Sequence, residues 1–100
     1  MQIGVSSSVI GASTVKVTIP FNGNLLGAGA AQATLVSYNP NLTAANFTAG
    51  SVPNGDLTMI TYIPAGAIQF FPAKIPVSEG ESVYVAFSAA GSAILYLETV

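Results

Sequence analysis

The apolar residues of this chain come in short runs of four to seven, cut by Gly, Pro, Asn and Ser. No stretch of ten or more residues places them at helical spacing, so the runs read as strands rather than helices. Thr14–Ile19 shows the pattern most cleanly. Val15, Val17 and Ile19 point one way, Thr14, Lys16 and Thr18 the other, as in a half-buried strand with a wet face. Pro20 ends it, and Phe21-Asn22-Gly23-Asn24 reads as a turn. Gln32–Tyr38 repeats the alternation, Ala33, Leu35 and Ser37 against Thr34, Val36 and Tyr38. Residues 2–10 read as a short first strand or an arm. Asn39 to Asp56 is a long turn-rich connection, with a short strand near Asn46–Thr48.

Two hairpins are expected in the second half, each closed by two residues and a glycine. Gly takes positive φ without Cβ strain, which suits a type I turn followed by a left-handed residue. Leu57–Ile63 would return through Pro64-Ala65-Gly66 into Ala67–Phe71, setting Tyr62 beside Ile68 and Ile60 beside Phe70. Ser82–Ser88 would return through Ala89-Ala90-Gly91 into Ser92–Glu98. That register pairs Phe87 with Ala93, Val85 with Leu95 and Val83 with Leu97 on a core face. The opposite face holds Tyr84 beside Tyr96 and Ala86 beside Ile94, too apolar for an ordinary wet surface. The same device recurs at Pro53-Asn54-Gly55 and Ser78-Glu79-Gly80. Short strands at even spacing predict one all-β domain over residues 1–100, an antiparallel β-sandwich or jelly roll of about seven to eight strands.

Charge is the outlier of composition. Lys16, Lys74, Asp56, Glu79, Glu81 and Glu98 are the only charged side chains, 6% of the chain, where soluble domains average roughly 25%. With two lysines, no arginine and a net charge of −2, the chain is a poor match for a run of phosphates, and nucleic-acid binding is not expected. Mean hydropathy is +0.64, yet no apolar run approaches the roughly 18–20 residues of a membrane-spanning helix. The first residues, MQIGVSSSVIGAS, lack a basic segment and a continuous apolar stretch, so they make a poor secretory signal and point to an unprocessed cytoplasmic product. Charged residues are depleted at interface cores, so their scarcity fits a subunit largely covered by partners.

Little in the chain invites catalysis. Histidine and cysteine are absent, removing the commonest general base and the thiolate ligands. Ser6-Ser7-Ser8 has no base nearby and alternates like a strand. The Gly-Ala-Gly-Ala run within Leu25–Ala31 lacks the G-x-G-x-x-G spacing and a following helix, so it reads as a loop or a close backbone contact. Glu79 and Glu81 flank Gly80 as the only paired carboxylates, and calcium wants six to eight oxygens. They read as solvated turn residues, with Asp56 able to approach only through tertiary folding. Lys74, between Pro72 and Pro76, reads as a charge guarding the apolar Ile68-Gln69-Phe70-Phe71 run. The sequons at Asn41 and Asn46 read as chance occurrences in an Asn/Thr-rich loop. No enzyme activity, cofactor or metal is expected.

The C-terminal half, YIPAGAIQFFPAKIPVSEGESVYVAFSAAGSAILYLE, carries I-P-x-x-x-G-E-x-V-Y-V ahead of the expected final hairpin. In this it resembles the small all-β decoration or cement proteins, or minor jelly-roll capsid subunits, of icosahedral phages and viruses. The resemblance implies a structural accessory role in a virion assembled in a host cytoplasm. It implies self-association, a trimer being typical, and packing against a major capsid protein. Tyr84, Ile94 and Tyr96, on the outer face of the expected terminal hairpin, are the candidate interface. The alternative is a cell-surface adhesion module binding a glycan or a protein. It lacks a visible secretion route, and there is no tryptophan to stack on a sugar ring.

Overall fold

Among the described residues eight strands form two sheets. They are β1 (Gln2–Val9), β2 (Ser13–Thr18), β3 (Gly23–Ala30), β4 (Thr34–Ser37), β5 (Met59–Ile63), β6 (Ile68–Val77), β7 (Ser82–Phe87) and β8 (Gly91–Thr99). Consecutive strands change sheet at every step except β4 to β5. The structure is a computed structural model and describes residues 2–38 and 59–100. The sequons, the strand expected near Asn46–Thr48, the Pro53-Asn54-Gly55 turn and Asp56 lie outside the described residues.

The antiparallel pairs are β1 with β8, β2 with β7, β3 with β6 and β4 with β5. The chain is therefore one long ribbon folded back on itself at the middle. Two further pairings, β3 with β8 and β4 with β7, roll that ribbon into sheets of order β1-β8-β3-β6 and β2-β7-β4-β5. This all-β antiparallel sandwich has the strand order of a jelly roll.

That topology overturns both expected hairpins. β7 and β8 lie in different sheets, as do β5 and β6. Residues 88–90 carry the chain from one sheet to the other, with the Ser88 amide donating to the Ala33 carbonyl at 3.1 Å. A turn of two residues and a glycine does not distinguish a hairpin from a crossover, because both need only a tight change of direction. The face assignment survives the change. Val83, Val85 and Phe87 line the core from one sheet, and Ala93, Leu95 and Leu97 line it from the other. Residues expected side by side thus belong to opposing walls. Gly66 (φ +74°) and Gly80 (φ +85°) do take the left-handed conformation, whereas Gly91 begins β8, opposite Val9.

Thr14–Ile19 behaves as read. Val17 and Ile19 are buried while Lys16 and Thr18 are exposed. Leu25–Ala31, expected to be a loop or a close backbone contact, is not a loop, since all but Ala31 belongs to β3, an inner strand between β8 and β6. Its alternation is period two in small residues. Ala28 and Ala30 enter the core, and Gly27 and Gly29 fall on the outer face. A bulge between Leu25 and Gly27 leaves Leu26 without a partner in the register with β8. Glycine at 27 follows from close backbone approach, because a Cβ there would run into the Gln69 carbonyl. β6 is longer than expected, and its register with β3 skips residues 71–74. Its prolines, Pro72 and Pro76, are tolerated because it is an edge strand.

Candidate interaction surface

The register of the β1-β8-β3-β6 sheet fixes what its outer face presents. One row across the strands reads Gly4, Tyr96, Gly27, Phe70, and the next reads Ser6, Ile94, Gly29, Ile68. Large residues stand on β8 and β6, and small ones on β1 and β3. The large side chains lean over the small positions, since a Cβ at Gly4 would sit 2.5 Å from Ile94 Cδ1, and one at Gly29 would sit 3.0 Å from Ile68 Cγ1. The small residues are the room that the large ones occupy.

Over Gly27 the gap is bridged. Phe70 and Tyr96 lean together with ring centroids 5.3 Å apart and an interplanar angle of 33°. Over Gly29 it stays open, as a shallow depression of about 250 Å³ lined by Ser6, Gly29, Ile68, Ile94 and Tyr96 among others. Ile68 and Phe70 remain 61% and 64% exposed. Two large apolar side chains that far out on one face cost hydration free energy unless something covers them.

A polar cluster closes one end of the face. Lys74 Nζ pairs with Glu98 Oε1 at 2.6 Å, and the Asn24 amide donates to the same oxygen at 3.2 Å. The bond from Lys74 holds the Glu98 carboxyl below its ordinary pKa, against a smaller desolvation effect that raises it. Lys74 thus has a carboxylate partner from β8, a role that its position between two prolines did not reveal.

The structure divides the sequence-derived interface residues between two surfaces. Ile94 and Tyr96 lie half-buried on the face just described. Tyr84, also half-buried, lies on the outer face of the other sheet, between Lys16 of β2 and Ser37 of β4. They cannot form one patch, because β7 and β8 are on opposite sides of the sandwich. The residues that complete the patch are Ile68 and Phe70, which the expected β5–β6 hairpin had placed beside Tyr62 and Ile60. The Gly-Ala-Gly-Ala alternation was the signal for them, since it marks a strand whose outer face is bare enough for its neighbours to lean over.

Glu79 and Glu81 serve their turn. The Glu79 amide donates to Asn22 Oδ1 at 2.9 Å, the Ser78 amide to Glu81 Oε1 at 3.4 Å, and the Glu81 amide to the Ser78 carbonyl at 3.0 Å. Among the described residues no three His, Cys, Asp or Glu side chains gather into a metal-binding group, and no helix is long and apolar enough to cross a membrane. Comparison of the chain with protein-family models, with curated proteins and with solved structures finds no match in any of the three.

Proposed function

We propose that this chain is a structural accessory subunit of an icosahedral capsid, a decoration or minor capsid protein that works by packing rather than by chemistry. The observation that carries the reading is the corrugated apolar face of the β1-β8-β3-β6 sheet. Its large residues, Ile94/Tyr96 and Ile68/Phe70, stand beside small Gly and Ser positions, with the Phe70 and Tyr96 rings meeting over Gly27 and a depression left over Gly29. An apolar face left this exposed suits regular association with copies of itself and with a shell of β-rich subunits. With 6% charged residues, little else on the chain sets a long-range electrostatic preference for partners. The jelly-roll strand order supports the same reading by analogy of fold.

The test is sedimentation of extract from the producing cells on a density gradient, with the chain followed by antibody. The chain is expected to band with particulate shells. Recovery wholly in the soluble fractions, beside shells that band normally, would contradict the reading.

A further inference from the structure

The described residues leave four strand edges, β1 and β6 in one sheet and β2 and β5 in the other. Three carry features that block the addition of a further strand. β6 has Pro72 and Pro76, the charge of Lys74 and a ladder that skips residues 71–74. β2 spans six residues, with Lys16 exposed at its centre. β5 spans five, and its register with β4 is irregular beside Ser37. β1 has none of these. It runs eight residues in unbroken register with β8, without a proline, a charge or a bulge.

A second observation points to the same edge. Ile3, Val5 and Val9 face inward on β1 but are only half-buried, and Val5 and Val9 pack against the core from one side. No described strand lies beyond them, so the apolar row along this edge is left half covered.

We propose that β1 is a strand-addition site for β1 of a second copy, joined antiparallel about a two-fold axis so that two four-stranded sheets become one of eight. An open edge is a ladder of main-chain donors and acceptors, and its complement is another open edge. A two-fold axis through Val5 sets Gly4 against Ser6 and Ile3 against Ser7. An axis through Ser6 sets Gly4 against Ser8 and Val5 against Ser7. In both registers inward residues meet inward ones, and the outward row contains only small side chains around the axis. No like charges are brought together, because β1 carries none. The inward apolar row then continues from one copy into the next. This contact is separate from the corrugated face, whose most exposed residues lie on β6 at the opposite edge of the sheet.

The experiment uses the full chain in an Ile68→Glu/Phe70→Glu background, which removes the face contact and leaves β1 untouched. Light scattering is expected to give twice the 10.1 kDa of one chain. Adding Ser6→Lys and Ser8→Lys, at two exposed positions on the edge, is expected to halve that mass with the β-rich circular dichroism spectrum retained. Hydrogen exchange on the wild-type chain is the reading that needs no variant. Alternate β1 amides, which point away from β8, are expected to be protected along with those bonded to it. A 10.1 kDa mass in the face-variant background, a doubled mass that survives both lysines, or fast exchange at the alternate β1 amides of the wild type would each overturn the proposal.

Discussion

Phe70 and Tyr96 belong to strands that do not pair, yet their rings meet at 5.3 Å over the bare backbone of Gly27. The contact exists because β3 offers no side chain between them. Such a pair contributes about 0.5–1.5 kcal/mol beyond its buried area. A double-mutant cycle with Phe70→Leu and Tyr96→Leu, read by urea denaturation, is expected to return a coupling of that size. Additive single effects would mean the rings only happen to be neighbours.

Phe87 is fully buried, and its truncation to Ala is expected to cost roughly 3–5 kcal/mol, as for other core aromatics. Tyr84, three positions earlier and facing out, is expected to cost much less when truncated. Equilibrium unfolding of the two variants side by side checks which face of β7 holds the core.

The glycines of β3 are not equivalent. A Cβ at Gly27 meets the Gln69 carbonyl, which is backbone and cannot yield, whereas at Gly29 it meets the Ile68 side chain, which can turn away. Gly27→Ala is expected to destabilise by about 1–3 kcal/mol, in the range of overpacked cores, and Gly29→Ala by clearly less. Gly66→Ala has open space around it but a φ of +74°, so its cost is the left-handed strain of about 1–2 kcal/mol. Melting curves of the three variants order these effects.

Acid should weaken the fold in part through Glu98. Its folded pKa is lowered, first by the hydrogen bond from Lys74. A depressed carboxyl contributes stability that is complete above its unfolded value and is lost as pH falls through the folded one. Lys74 is 62% exposed, so the effect is small and screened by salt. Melting temperature followed from neutral to acid pH is expected to fall less steeply for Lys74→Met than for the wild type, with the two curves converging in high salt.

Much of the fold is legible in the residues, but only where the signal is local. The alternation in Thr14–Ile19, the core faces of Ser82–Ser88 and Ser92–Glu98, and the positive φ of Gly66 and Gly80 follow from period-two patterning and turn chemistry. Which strands pair does not, because a crossover between sheets uses the same short glycine-bearing connection as a hairpin. The candidate surface suffered from that ambiguity. Ile94 and Tyr96 do share one outer face, but Tyr84 joins them only through a pairing that does not exist. Ile68 and Phe70 were missed because their true neighbours, across β3, are distant in sequence. β3 itself was missed because small residues carry little hydrophobic contrast, and Gly is intrinsically poor in strands.

Light scattering of the wild-type chain against Ile68→Glu/Phe70→Glu, both with confirmed β-rich spectra, tests the central claim most directly, namely that the outer face of the β1-β8-β3-β6 sheet is a packing surface. The two substitutions place charge on the most exposed apolar residues of that face, which lie outside the core. The wild type is expected to form a multimer above twice 10.1 kDa, and the variant to fall to the smaller assembly that the β1 edge sustains. Equal masses for the folded wild type and the folded variant would contradict it.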